Sequence, residues 1–188
     1  NGTIDLRNGE LLPFTREDLM TKRSPALYDK ASTCPTWLAF LDRIFASDAE
    51  MIAFMQRAAG YCLSGSTAER VLFILFGSGR NGKSTWLEVI RYVMGDYASG
   101  TPASTIMSQK NKGIPNDIAR LKGARFVSAS ETSESAEIDE AFIKVATGGD
   151  TITARFLNAE FYDLRPQFKI WLATTHKPAI KGTAPAVW

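Results

Sequence analysis

The 188-residue chain carries 22 basic and 20 acidic residues, a formal net charge of +2, with 45% hydrophobic and 22% charged residues. That balance predicts a proper core, either one large domain or one domain with a small appendage, and excludes a disordered tail and a histone-like polycation. Cys34 and Cys62 make neither a metal-binding spacing nor a disulfide framework, and no apolar run approaches the ~20 residues that span a bilayer.

The first signal along the chain is Asn8-Gly9, which separates Ile4-Asp5-Leu6-Arg7 from Glu10-Leu11-Leu12 and predicts a hairpin closed by Pro13. Residues 34–63 read as two helices. Trp37, Phe40, Leu41, Ile44 and Phe45 share one helical face, with Pro35 in the first turn. Ser47-Asp48-Ala49-Glu50 reads as a capping box for the second helix, whose stripe is Met51, Ile52, Phe54, Met55 and Ala58, with Gly60 ending it. Such stripes serve either as a collar between subunits or as a pair packed on the chain's own core, the commoner case. Ser64-Gly65-Ser66-Thr67 is a turn and the best boundary between a small region, 1–66, and a larger one, 67–188.

Val71-Leu72-Phe73-Ile74-Leu75-Phe76 then reads as a strand buried on both faces. It leads into Gly77-Ser78-Gly79-Arg80-Asn81-Gly82-Lys83-Ser84-Thr85, which fits the phosphate-binding pattern G-x-x-x-x-G-K-[ST]. Trp86, Leu87, Ile90, Val93 and Met94 follow at helical spacing, with Gly95 at the C-cap position. Strand, glycine loop and helix are the context this chemistry needs. Glycines let backbone N–H groups turn towards phosphates, and the helix N-terminus adds positive potential. Lys83 is expected to reach the β- and γ-phosphates of ATP, and the Ser84 hydroxyl to bind Mg²⁺. The alternative is a chance glycine turn, which the flanking elements argue against.

Residues 96–124 read as polar and irregular, with Gln109-Lys110-Asn111-Lys112-Gly113 forming a basic loop. Lys110 and Lys112 either contact DNA phosphates or are simply solvated. Arg125–Ser130 reads as a strand ending at Glu131-Thr132, expected beside the strand of the glycine loop. Glu131 there would hold Mg²⁺ or polarise the attacking water, with Glu134 or Glu137 as alternatives. A helix over 137–147 is charged to match its dipole, with Glu137, Asp139 and Glu140 at its start, Lys144 near its end and Gly148-Gly149-Asp150 as its stop. Residues 151–156 and 160–163 predict a hairpin that carries Arg155 and turns at Asn158-Ala159. Phe168–Thr175 reads as a central strand ending in two hydroxyls. His176, the sole histidine, has no metal partners in the pattern and suits a surface or hydrogen-bonding role.

The order of these motifs resembles the helicase part of the phage and plasmid primase-helicase family, a branch of the superfamily 3 helicases. The motifs carrying the resemblance are Gly79–Thr85, Ala129-Ser130-Glu131-Thr132, Gly148-Gly149-Asp150 with Arg155, and His176-Lys177-Pro178, preceded by the hairpin and Cys34-Pro35-Thr36-Trp37. It implies an α/β fold: an AAA+-like P-loop NTPase core with a parallel central sheet, preceded by a small, mainly helical N-terminal domain. It further implies a homohexameric ring on single-stranded or forked DNA in the cytoplasm of a bacterial host. ATP would be hydrolysed between subunits to drive 3′-to-5′ translocation, and a primase domain could precede Asn1. Glu131 matches the family's Walker B acid, the stretch from Lys144 to Arg155 its DNA-contacting motif, and Thr175 its sensor. The family usually has asparagine at the sensor, and Thr174 could share the role. The arginine finger would fall just after Trp188, so this stretch alone is expected to bind nucleotide and hydrolyse it poorly. The hairpin turn lacks the lysine that other branches carry there, with Arg155 or Lys144 as candidates to replace it. Two other classes compete: a small-molecule phosphotransferase on a P-loop core, and an assembly module that binds nucleotide without turnover.

Overall fold

The computed structural model describes residues 1–109, 116–130 and 136–182. In chain order these form β1 (Thr3–Asp5), β2 (Glu10–Leu12), α1 (Pro35–Ile44), α2 (Ala49–Tyr61), β3 (Leu72–Phe76), α3 (Lys83–Met94), β4 (Ala98–Gly100), α4 (Asn116–Ala119), β5 (Phe126–Ser130), α5 (Glu140–Gly148), β6 (Ile152–Ala154), β7 (Tyr162–Leu164) and β8 (Lys169–Thr174). The architecture is α/β. One parallel four-stranded sheet, ordered β3-β8-β5-β4, is accompanied by two antiparallel hairpins, β1-β2 and β6-β7.

The sheet is organised by β8. All six of its residues are buried, and it pairs with β3 on one edge and β5 on the other. Alternate side chains feed two separate cores, as strand geometry requires. Ile170 and Leu172 join Ile106, Leu121, Val127 and Phe142 on one face. Trp171 and Ala173 join Leu41, Met55, Trp86 and Phe126 on the other. Trp171 lies against Phe73, with centroids 4.0 Å apart and rings nearly parallel, and 4.4 Å from Trp86. The α1–α2 pair therefore shares a core with α3 and the sheet.

Several local expectations change. Strand β3 is not buried on both faces. It has a single neighbour and forms the sheet edge, leaving Ile74 38% and Phe76 50% exposed while Phe73 and Leu75 pack inward. Strand β5 is not beside β3, because the wholly buried β8 needs both its edges paired and lies between them. Residues 96–124 are not all irregular: β4 pairs in parallel with β5, and Ile106, Met107 and Leu121 are buried. The N-cap of α2 is Asp48, whose carboxylate accepts the Met51 N–H at 2.9 Å, whereas Ser47 sits at φ +61°. Gly60 does not end α2, which continues to Tyr61. The carbonyls of the turn that follows it are met by cations.

Those cations are Arg125 and Lys169. Arg125 stacks 4.2 Å from the Tyr97 ring and donates to the Leu63 carbonyl. Lys169 is buried, and its Nζ donates to the carbonyls of Ser64 at 2.5 Å and Ser66 at 3.1 Å. Burial pushes the Lys169 ammonium down to about 8. No described helix is long and apolar enough to cross a membrane.

The Lys169 environment sets a pH dependence. An unfolded lysine keeps its proton to about pH 10.4, so between pH 8 and that value the unfolded chain is the more protonated state and stability rises with pH. Below pH 8 the cost of the buried charge is fully present. Melting temperatures of the wild type and Lys169→Met, measured from pH 7 to 10, are expected to diverge in favour of the wild type as pH rises. A constant difference across that window would show that Lys169 titrates normally.

Candidate functional site

The candidate site lies where β3 hands over to α3. The loop at residues 77–82 is tied to the neighbouring strand, because the Gly77 N–H donates to the Thr174 carbonyl at 3.3 Å. It then tightens on itself, with the Gly79 N–H bonded to the Gly77 carbonyl at 2.9 Å. Gly79, Arg80 and Gly82 adopt φ of +92°, +51° and +88°, which turns the chain sharply into the helix. Glycine is required at 82 for a second reason. A Cβ there would lie 2.7 Å from Ile44 Cγ2 and 3.2 Å from the Phe40 ring, so α1 forms the floor under the loop.

Gly82 caps α3 without a side-chain bond, leaving the first N–H groups of a 12-residue helix at the loop. The Lys83 side chain folds back into the loop, its Nζ donating to the Gly77 carbonyl at 2.6 Å and to Asn81 Oδ1 at 2.9 Å. Ser78, Gly79, Arg80, Asn81, Ser84 and Thr85 are exposed around it. Backbone donors, a helix N-terminus and an inward cation form a donor set suited to a polyphosphate and, with the Ser84 hydroxyl, to its divalent cation.

The parallel register brings other strand ends to this edge of the sheet. Phe76 pairs with Thr174, and Ser130 pairs with Ala173. The two hydroxyls at the end of β8 have separate fates. Thr174 is 2% exposed, and its hydroxyl donates to the His176 carbonyl at 2.7 Å and accepts the His176 N–H at 3.1 Å, closing a turn. Thr175 is exposed at the strand end. Lys177, which the motif reading gave no role, holds its ammonium 5.0 Å from the Phe76 ring. The sequence signal for it was its place in His176-Lys177-Pro178, three residues past the end of β8.

Glu131 follows Ser130 directly in the sequence, but it and Glu134 lie outside the described residues. Glu137 is described and is committed elsewhere: its carboxylate pairs with Lys181 at 2.6 Å, and its backbone bridges to Ala179.

The candidate DNA contacts sit on other elements. Lys144 is exposed on α5, while Lys110 and Lys112 lie outside the described residues. Arg155 follows β6, its guanidinium 4.5 Å from the Phe161 ring. Its Nε is buried with no hydrogen-bond partner among the described residues. The β6–β7 hairpin is anchored through the Tyr162 hydroxyl, which donates to the Ala119 carbonyl at 2.7 Å. Its tip carries three exposed apolar side chains, Phe156, Leu157 and Phe161.

Residues 1–46 match the family model described as D5 N terminal like. The whole chain aligns at 34% identity with a protein of Acanthamoeba polyphaga mimivirus named "Putative helicase L207/L206". A similarly named protein, 022R of Frog virus 3 (isolate Goorha), is 28% identical over 80% of the chain. The chain spans 20% and 16% of the lengths of these two relatives. Among solved structures, the apo C-terminal region of NrS-1 superposes with TM-scores of 0.60 and 0.62 at 14% identity. The two superpositions cover 90% and 82% of this chain, and 38% and 37% of the solved chains. The superpositions show a shared fold, and the sequence likenesses are to the D5 N terminal like family and to viral proteins named putative helicases.

The loop geometry makes Gly82 a sensitive position. Gly82→Ala imposes a left-handed alanine and a contact with Ile44 and Phe40, a combined cost of about 2 kcal/mol or more. Calorimetric melting is expected to show a lowered transition, and Gly82→Ala to cost less in an Ile44→Ala background than in the wild type. Unchanged melting of the single variant would show that the loop does not rest on α1.

Proposed function

We propose that this chain is the ATP-hydrolysing motor segment of a DNA helicase of the D5-like primase-helicase kind, with an AAA+-like core of superfamily 3 type. The observation that carries the reading is the Lys83 ammonium, held inside a glycine loop at the edge of a parallel sheet where β3, β8 and β5 end together. The helicase names of the viral relatives support the choice of motor over other P-loop enzymes.

In this reading Lys83 and the N–H groups at the start of α3 bind and orient the phosphates of ATP. The Ser84 hydroxyl and Glu131 would hold Mg²⁺, which when bound would neutralise charge on the phosphoryl oxygens. Glu131 accepts a proton from the attacking water, and Thr175, the exposed hydroxyl of the β8 pair, donates to the water or the γ-phosphate. Loop residues Gly77, Ser78, Gly79, Arg80, Asn81, Gly82 and Thr85 complete the phosphate cradle. A neighbouring copy in a homohexamer supplies an arginine at the transferring phosphate. The proposed direction of travel is 3′ to 5′.

DNA would meet the β6–β7 hairpin and α5. Arg155 and Lys144 offer positive charge to the backbone, and Phe156 and Phe161 offer ring faces on which bases stack without sequence preference. A net charge of only +2 is compatible with this, since six copies around a channel contribute their basic groups together.

Steady-state ATPase activity, measured with and without single-stranded DNA on a polypeptide extended beyond Trp188, tests the motor. Turnover is expected to rise with DNA and to vanish in Lys83→Ala. Turnover indifferent to DNA but dependent on a small-molecule acceptor would establish a phosphotransferase instead, and nucleotide-driven assembly without turnover an assembly module. Glu131→Gln is expected to keep ATP binding and abolish hydrolysis; retained hydrolysis would remove Glu131 from its role. Arg155→Ala is expected to weaken salt-sensitive DNA binding while leaving nucleotide affinity unchanged. Loss of thermal stability in place of DNA affinity would make Arg155 a structural residue.

A further inference from the structure

Lys83 is restrained by atoms of its own loop, and one of them belongs to a side chain with no assigned task beyond forming the cradle. Asn81 Oδ1 accepts from Lys83 Nζ at 2.9 Å, beside the Gly77 carbonyl at 2.6 Å. An ammonium has three N–H groups and no acceptor. Two are therefore fixed by the loop, and the third is left for an incoming oxygen. Both loop acceptors are uncharged, so they orient the ammonium without neutralising it. The opposite end of the same amide explains a glycine. A Cβ on Gly77 would collide with Asn81 Nδ2, so the amide occupies the space that any other residue at 77 would fill. Gly77 and Asn81 thus form a matched pair; the phosphate-loop pattern fixes glycine at 77 but leaves position 81 open.

We propose that Asn81 is a positioning residue that fixes the rotation of the Lys83 ammonium, so that one N–H is directed to the phosphates of a nucleoside di- or triphosphate. The inference rests on the nucleotide-binding reading of the loop. Lysine carries large rotamer freedom, and an ammonium already held in place lets binding proceed without ordering it. Asparagine suits the task because it accepts without charge. Aspartate at 81 would hold Lys83 equally well in geometry, yet cancel its charge and repel phosphate.

Two readouts separate this role from a merely structural one. The first is the acetylation rate of Lys83 by acetic anhydride in nucleotide-free protein, read by mass spectrometry with Lys177 as internal reference. Asn81→Ala is expected to raise Lys83 labelling several-fold, Asn81→Asp to leave it protected, and Gly77→Ala, which displaces the amide, to behave like Asn81→Ala. The second is ADP affinity by calorimetry in Mg²⁺ buffer. It is expected to fall about tenfold in Asn81→Ala, the scale of one charge-assisted hydrogen bond, and further in Asn81→Asp despite intact protection. Asn81 is exposed, and equal melting temperatures across the set establish that the variants are folded. Unchanged Lys83 labelling in Asn81→Ala overturns the positioning role even if the wild type binds ADP. A wild type that fails to bind ADP while Asn81→Ala still unmasks Lys83 leaves the contact standing and overturns the phosphate-directing part together with the nucleotide reading.

Discussion

Strand β8 is the constraint on which the rest of the molecule depends. A strand with six buried residues can be satisfied only when both edges are hydrogen-bonded and both faces are covered. Pairing with β3 and β5 meets the first need, and the two cores on either face meet the second. The functional geometry follows from this. With strands about 4.8 Å apart, the interposed β8 sets the ends of β3 and β5 roughly 9–10 Å apart. That gap separates the glycine loop from the end of the strand that leads into Glu131, and Thr175 emerges between them. A phosphate chain anchored at the loop would be approached from the side by groups on the other two strand ends.

The loop also depends on a region the motif does not include. Phe40 and Ile44 of α1 form the surface against which Gly82 is pressed, and the same helix contributes Leu41 to the core around Trp171. The N-terminal helical pair is therefore mechanically connected to the glycine loop through direct contact and through shared packing. At its far end, α3 is fastened by the N-terminal segment as well. Ser24 Oγ donates to the Val93 carbonyl at 2.6 Å, and Lys22 Nζ donates to the Asp96 carbonyl at 2.9 Å. Both termini of the helix that follows the loop are thus held by residues from the first 46 of the chain.

Much of this was legible locally. Asn8-Gly9, the strand-loop-helix around Lys83, and the turn at Asn158 between β6 and β7 are each encoded within about two dozen consecutive residues, and each forms where expected. What escaped was non-local. A run such as Leu72–Phe76 looks the same whether it ends up central or at an edge, because the difference lies in which distant strands claim its neighbours. The insertion of β8 between β3 and β5 joins segments about a hundred and about forty residues apart in sequence, and no periodicity reports that. Ala98-Ser99-Gly100 has no β-branched or aromatic residue and becomes a strand only because β5 offers it an edge. At α2, two adjacent residues could each cap the helix, and local geometry chose Asp48. Within the site, the division of labour between Thr174 and Thr175 required knowing that Thr174 faces inward, where it spends its hydroxyl on a turn.

The aromatic packing around β8 also gives the protein an optical property. Trp86 lies three residues beyond Lys83, Trp171 lies three before Thr174, and their rings are 4.4 Å apart at 36°. Indoles this close and inclined couple their electronic transitions, producing a paired signal in circular dichroism that neither ring gives alone. The Trp171 N–H also meets Cys62 Sγ at 3.3 Å, and a thiol at that distance quenches indole emission. Emission from Trp171 is expected to be quenched by Cys62 at the end of α2, and the coupling of the pair depends on α3 resting against β8. The helix that begins at the glycine loop carries its own chromophore into the core, so displacement of that helix would be visible in light absorbed or emitted, with no label attached.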